Sequence, residues 1–326
     1  MKGRKLKRTF GTILLFAVLV IGGVLTYVKY MLPDVGPAPV LNIKATPALI
    51  KRGNYLANHV TVCIDCHSTR DYSVFSGPIQ DGSNGGGGEK FDQRFGFPGV
   101  FYAKNITPYA LGKWTDGEIF RAITAGVDKE GKALFPVMPY HCYGELQNED
   151  VYAIIAYIRT LPSIEKNIPA SVPDFPMNFI INTIPAKGKP MTAIHGNPLA
   201  YGKYLTTIAG CGECHTKKVN GKVAGPEFGG GFEFQLADGN IVRSTNITPD
   251  NATGIGNWTE DYFVQRFKAY TDSAARHKTV AKGEYNTVMP WIMYSNMDSS
   301  DLKAIYTYLR SVKSANNIVE RFTAMK

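Results

Sequence analysis

Cysteine is scarce in this chain: five residues in 326, four of them in two short clusters. Cys142 is left over, so no disulfide framework is available and the thiols serve some other chemistry. Cys142 itself reads as a buried structural thiol. Acidic residues are missing from positions 1–30, where Lys2, Arg4, Lys5, Lys7, Arg8 and Lys29 supply six of the nine charges in the formal net charge of +9. The remainder carries only about +3. The basic pI therefore gives no support to nucleic-acid binding; the excess is a membrane-orientation signal. A phosphate loop is absent as well. Asp81 to Gly88 ends in four glycines but lacks the Gly-Lys-Ser/Thr sequel and a following helical pattern, and it reads as flexible surface.

What is present is a pair of five-residue stretches, Cys63-Ile-Asp-Cys66-His67 and Cys211-Gly-Glu-Cys214-His215, 148 positions apart. Each has the Cys-x-x-Cys-His form of a c-type haem attachment site. Two thiols at this spacing can add to the two vinyl groups of one porphyrin, and the adjoining imidazole then lies under the iron. A four-cysteine zinc site would need neither histidine, and its pairs usually lie about 15–20 residues apart. The expectation is two covalently attached haem c groups.

Thr9 to Val28 is a run of 20 residues without a charge, enough to cross the roughly 30 Å hydrocarbon layer as a helix. With the basic cluster before it, it predicts an uncleaved N-terminal anchor and an exported body. The run exceeds the h-region of a cleaved signal peptide, and no convincing cleavage site follows. The expected organisation is a basic tip and transmembrane anchor (1–30), a stalk (31–45), a first haem domain (46–164), a Pro-rich apolar linker (165–196) expected to lie against one of the domains, a second haem domain (197–315) and a tail (316–326).

Within the first domain, Thr46 with Pro47 opens a helix that delivers Cys63. Thr115 and Glu118 form a capping box. A last helix, capped by Asn148, carries Val151, Ile154, Ile155, Ile158 and Leu161 on one face. The plan then repeats. Gly53-x-Tyr55-Leu56 recurs as Gly202-x-Tyr204-Leu205, Asn105-Ile-Thr-Pro108 as Asn246-Ile-Thr-Pro249, and Trp114-Thr115-Asp116 as Trp258-Thr259-Glu260. Met138-Pro139 recurs as Met289-Pro290, and Tyr157-Ile-Arg159 as Tyr308-Leu-Arg310. Drift in spacing is assigned to the glycine loop in the first copy and to an insertion near 271–287 in the second. Five matches in one order mark a duplicated domain.

A six-coordinate haem iron needs a second axial ligand, and Met138 and Met289 are the repeat-matched candidates. A thioether is a soft ligand that raises the potential. His141 and Cys142 are rivals in the first copy; either would point to a catalytic di-haem protein of peroxidase or thiosulfate-oxidising type. Asn105 and Asn246 read as turn residues at the porphyrin edge, available to a propionate or a backbone carbonyl. Trp114 and Trp258 are equally core or haem-lining.

Residues 197–312 resemble one domain of the membrane-bound cytochrome c subunits of alcohol, gluconate and related periplasmic dehydrogenases. The resemblance is carried by Gly202-Lys-Tyr-Leu205, the second Cys-x-x-Cys-His motif, Ser244 to Asp250, Gly254 to Trp258, Met289-Pro290 and Tyr308-Leu-Arg310. Residues 47–161 repeat it more loosely, and Pro173 to Asn178 is similar to that family's inter-domain segment. The resemblance implies an all-α chain of two tandem class I cytochrome c domains behind one transmembrane helix. It also implies His67/Met138 and His215/Met289 ligation and an electron-transfer role rather than an enzymatic one. The donor would be a periplasmic dehydrogenase or quinol-oxidising complex, and the acceptor a terminal oxidase or soluble cytochrome. The protein would be held on the periplasmic face of the inner membrane. Those subunits typically hold three haem domains where this chain shows two, and the anchor here is N-terminal.

Overall fold

The computed structural model describes residues 2–219 and 221–325. A helix spans Lys2–Tyr30. Its segment Lys7–Tyr30 is 24 residues long, apolar enough to cross a membrane, and none of it is buried. The extended chain that follows lies on the body. Ile43 donates its N–H to Asp116 Oδ2 at 3.1 Å, and the backbone of Pro39 runs so close to Gly117 that a Cβ there would collide with it.

The body contains the same sequence of elements twice. Each begins with a helix, Pro47–Tyr55 or Pro198–Ile208. Thr46 accepts from the Leu49 N–H, and Asn197 from the Leu199 and Ala200 N–H groups, with proline in the first turn of both helices. These caps satisfy donors that the helix itself leaves orphaned. A short turn of helix carries each cysteine pair, Cys63–Cys66 and Cys211–His215. A middle helix follows, Asp116–Ala125 or Glu260–Lys268, the first with the complete Thr115/Glu118 capping box. Short helices Tyr140–Tyr143 and Trp291–Tyr294 come directly after the two Met-Pro pairs. Last come Asn148–Ile158 and Ser299–Ser311.

First and last helices cross at a glycine in each copy. A Cβ built on Gly53 would fall on the carbonyl of Ala153, and one on Gly202 on the carbonyl of Ala304. The apolar faces read from the sequence are the core: Leu56, Val60, Val151, Ile155, Leu205 and Leu302 are all fully buried. One boundary moves. The N-cap of the Asn148–Ile158 helix is Gln147, not Asn148, and Gln147 makes no side-chain capping bond.

The chain is not purely helical. Lys90–Phe91 pairs with Gly99–Tyr102, and Glu233–Gln235 with Ile241–Arg243, both antiparallel. In each case the segment after the last helix returns and adds a third strand. Val172–Pro173 pairs with residues 99 and 100, and Phe322–Thr323 with residues 241 and 242. A two-stranded hairpin, Lys218–Val219 with Lys222–Val223, completes the described sheets. Strands of two to four residues have too few alternating positions to register as a period-2 pattern, which is why helical periodicity dominated the sequence. The segment read as a linker runs along the first copy, where the Met191 N–H donates to Glu145 O at 2.8 Å. It also meets the apolar helix, where Asn182 donates to Val28 O at 3.3 Å.

The two halves exchange caps. Tyr55 donates its hydroxyl to Asp301 Oδ2 (2.7 Å) and accepts from the N–H of Asp298 (3.0 Å). Tyr204 donates to Asp150 Oδ2 (2.6 Å) and accepts from the N–H of Gln147 (3.3 Å). Each tyrosine of a Gly-x-Tyr-Leu motif thus caps the last helix of the opposite half. This is the self-complementary pattern of an isologous interface, here within one chain. Arg52 adds two bonds to Asp150 at 2.8 and 2.9 Å.

The glycine crossings yield a direct test. Gly53→Ala or Gly202→Ala forces two backbones apart and is expected to destabilise the protein by about 3 kcal/mol. Gly196→Ala, which meets nothing within 4 Å, should be nearly neutral. Chemical denaturation of the three variants measures the difference.

Candidate functional site

Both Cys-x-x-Cys-His turns are entered through a left-handed residue, Val62 at φ 45° and Gly210 at φ 66°. That reversal ends the preceding helix and starts the short one. It is anchored from the far side of each half by a tyrosine five residues after the methionine. The Tyr143 hydroxyl donates to Thr61 O at 2.8 Å, and the Tyr294 hydroxyl to Ala209 O at 2.9 Å. This is a sixth repeat match, and the sequence carried its signal in the equal Met-to-Tyr spacing.

The two motif histidines are held alike. His67 Nδ1 lies 2.6 Å from Lys104 O, and His215 Nδ1 lies 2.7 Å from Thr245 O. With the N–H on Nδ1 donating to a carbonyl, Nε2 is the unprotonated nitrogen, the form an iron ligand needs. Burial lowers the pKa of both imidazoles, against the opposing pull of these carbonyls. The residues that supply the carbonyls directly precede Asn105 and Asn246.

Glycines lock this arrangement. The Gly87 N–H donates to His67 O (2.8 Å) and the Gly230 N–H to His215 O (2.7 Å). Both have positive φ, and a Cβ on either would stand 2.5 Å from the carbonyl carbon of Lys104 or Thr245. The reading of the four glycines as flexible surface is therefore corrected. Gly85, Gly86 and Gly87 are buried, and they let the loop lie against the segment just past the strand Gly99–Tyr102, where Lys104 holds the histidine. The misreading arose because glycine runs signal linker composition, while close backbone approach leaves no compositional mark.

Asn105 and Asn246 are 3% and 4% exposed, and protein groups occupy their polar atoms. Asn105 Nδ2 donates to Ile164 O (2.8 Å) and Lys166 O (3.1 Å). Asn246 Nδ2 donates to Ala315 O (2.7 Å) and Thr253 Oγ1 (2.9 Å). Each Oδ1 accepts from the backbone and hydroxyl of the threonine two residues on. Of the two roles expected, the backbone-carbonyl one is observed. These residues latch the returning chain to the segment whose carbonyl holds the histidine. Trp114 and Trp258 pack at the margin of the core. The Trp114 carbonyl accepts from Arg159 and the Trp258 carbonyl from the Tyr306 hydroxyl.

Met138 and Met289 also lie at the margin of the core, in matching turns. Pro139 and Pro290 have φ, ψ of −77°, 57° and −80°, 62°, and the next N–H in each returns to the methionine carbonyl at 2.7 and 2.8 Å. The rivals are engaged elsewhere. His141 Nε2 pairs with Glu213 Oε2 at 3.0 Å, across to the second half, and Lys218 meets the same oxygen at 2.6 Å. Burial alone would raise the Glu213 carboxyl; His141 and Lys218 hold it down at about 2. Cys142 is buried beside this ion pair, its thiol pushed up to about 12 by burial and then by Glu213.

The donor set fits haem rather than zinc. All five cysteines are free. Among the described residues the one convergent group of metal-ligating atoms is His141, Cys142 and Glu213, so the four motif cysteines do not gather at a shared ion. Burial raises all four motif thiols, to about 12 for Cys66 and Cys211 and about 11 for Cys214. Two thiols and a neutral imidazole on one tight turn match thioether attachment with a proximal histidine.

The latch role of the asparagines is separable from a haem role. Asn105→Ala or Asn246→Ala should cost about 2–3 kcal/mol in thermal or denaturant unfolding, because buried partners are left unsatisfied, while pigment content per folded chain stays unchanged.

Comparison with known proteins agrees with this geometry. Residues 199–313 match the cytochrome c family model. The chain is 28% identical over 284 residues to the fructose dehydrogenase cytochrome subunit of Gluconobacter japonicus, covering 81% of this chain and 52% of that protein. It is 26% identical to the gluconate 2-dehydrogenase cytochrome c subunit of Pantoea cypripedii, covering 84% and 62%. It is 29% identical to a diheme cytochrome c-type protein of Cereibacter sphaeroides, covering 77% and 81%. The chain thus spans little more than half the length of the dehydrogenase subunits it matches. Residues 199–313 are a cytochrome c domain, and the chain that carries them is a homologue of the cytochrome c subunits of fructose and gluconate dehydrogenases.

Proposed function

We propose that the chain is a membrane-anchored di-haem cytochrome that relays electrons on the periplasmic side of the inner membrane. Its donor would be a dehydrogenase or quinol-oxidising partner, and its acceptor a terminal oxidase or soluble cytochrome. It makes no bond in a substrate and is not an enzyme by itself. The observation that carries this reading is the second occurrence, in the first half, of every contact that holds the motif histidine in the matched domain: left-handed entry, tyrosine anchor, Nδ1 carbonyl and glycine lock. It supports a reading of two tandem class I cytochrome c domains with two covalent haems.

Covalently bound haem supplies one-electron redox chemistry; the polypeptide holds it, shields it and fixes the distance between sites. Cys63, Cys66 and His67, with Met138, would hold one group. Cys211, Cys214 and His215, with Met289, would hold the other. The methionine thioethers would complete a ligand set that suits both oxidation states and favours a high potential. Burial drives the Tyr294 phenol well above its usual range, and Cys211 and Cys214 of its own half add to the shift together with Asp65 and Cys66 of the other. The halves also meet beside the second turn's anchoring helix, where His59 Nδ1 lies 3.1 Å from Met293 O. The catalytic alternative is disfavoured by the pairing of His141 with Glu213.

The apolar helix supports anchoring, with the basic tip in the cytoplasm. The chain's dehydrogenase-subunit relatives support a dehydrogenase as donor.

Purified from a host that matures c-type cytochromes, the protein should keep its pigment through acid-acetone extraction and yield two haems per chain by pyridine haemochrome assay. Removing Cys63 and Cys66, or Cys211 and Cys214, should leave one. A colourless product, or pigment that washes out, would refute the reading. Replacing residues 1–30 by a cleavable export signal should move the protein from the membrane fraction to the soluble periplasm with both haems retained.

A further inference from the structure

The segment after the first Cys-x-x-Cys-His turn does not stay in its own half. Residues 72–76 cross to the stretch that leads into Met289, which includes the insertion of the second copy. The Phe75 N–H donates to Lys278 O and the Val280 N–H to Ser73 O, both at 2.8 Å. Asn286 Nδ2 donates to Tyr72 O at 3.0 Å. The crossing ends at Ser76, which is 2% exposed. The Ser76 N–H donates to Asn286 Oδ1 at 2.9 Å. Its hydroxyl donates to Met289 O at 2.6 Å and accepts from the Trp291 N–H at 3.0 Å. One hydroxyl from the first half therefore closes both ends of the Met289-Pro290-Trp291 turn.

On its other side the same residue is tied to the first motif. The Ser76 carbonyl accepts from Arg70 at 3.1 Å. The Arg70 guanidinium also donates to Gly77 O at 3.0 Å and to Asp65 Oδ2 at 2.7 Å. Asp65 sits between Cys63 and Cys66, and both ionic side chains are almost fully buried, 6% and 5% exposed. Ser76 adopts φ 66°, a region that favours glycine and costs other residues free energy. The hydroxyl is the functional difference between serine and the residue this backbone prefers. Among the described residues, no side chain from the second half hydrogen-bonds to the Met138-Pro139-Tyr140 turn, so the brace runs one way.

We propose that Ser76 is a positioning residue for the second iron site: supplied by the first half, it holds the turn that carries Met289 and couples it, through Arg70 and Asp65, to the first attachment motif. The proposal rests on Met289 being an axial ligand. It makes the potential of the second haem depend on a residue of the first half.

The test uses the full-length holoprotein. Ser76→Gly removes the hydroxyl and suits the backbone. One haem should then lose part of its methionine–iron charge-transfer absorption, show a lower midpoint in redox titration, and bind imidazole roughly tenfold more tightly, the worth of one buried hydrogen bond. The other haem should be unchanged. Met138→His and Met289→His, each shifting one haem, identify which is which. Asn286→Ala approaches the serine from the second half and should reproduce the effect. Equal shifts at both haems, a shift confined to the first, or no shift in either variant would overturn the proposal. If Met289→His leaves both haems unaltered, the ligand assignment itself has failed, and that result is distinguishable from failure of the brace.

Discussion

Close approach of two helices at a glycine is the constraint on which the rest depends. Without Cβ atoms at Gly53 and Gly202, the first and last helices of each half cross backbone to backbone. That crossing buries Leu56 and Val60 against Val151, Ile154 and Ile155 in one half, and Leu205 and Ile208 against Leu302 and Ile305 in the other. The C-terminal end of the first helix is thereby fixed, and a left-handed residue turns it into the Cys-x-x-Cys-His segment. Once this end is fixed, a carbonyl from the segment just past a strand can orient the histidine, and a glycine can lie over that segment. Each later feature uses the position set by the one before.

The two halves are alike but not interchangeable. The tyrosine–aspartate exchange is symmetric, as expected where a duplicated unit packs on its twin. Other contacts break that symmetry. His59 reaches Met293 O at 3.1 Å, His141 reaches Glu213, and residues 72–76 brace the approach to Met289. Divergence after duplication has been spent on cross-half polar contacts, which fix register and orientation rather than supply bulk stability. The first and last helices keep their apolar faces in both halves, whereas Ile119 and Ile123 of the middle helix correspond to Phe263 and Phe267.

Much of this was legible in the sequence. The attachment motifs, the helix faces, the Thr115/Glu118 box and the order of the repeat all depend on local spacing, and local spacing survives into the fold. What was not legible depends on partners distant in the chain. Asn105 looked like a candidate for a propionate because an amide's partners cannot be known from its neighbours; they are carbonyls 59 and 61 residues away. The glycine run looked flexible because its rigidity comes from Lys104 and His67. The cap of the last helix was placed on Asn148 because a tyrosine from the opposite half, which takes up the N-terminal backbone donor at Gln147, has no local signature. The third strands came from segments read as linker and tail, since pairs of two residues carry no periodicity.

The exchanged tyrosines have a mechanical corollary. A hinge that opened the body along its midline would strip Tyr55 from the start of one helix and Tyr204 from the start of the other in a single motion, and would strand Asp150 and Asp301 without their phenols. Relative swivelling of the halves is therefore suppressed. The two cysteine-bearing turns are thereby tied to one relative placement, which no single bond sets and no single bond can release.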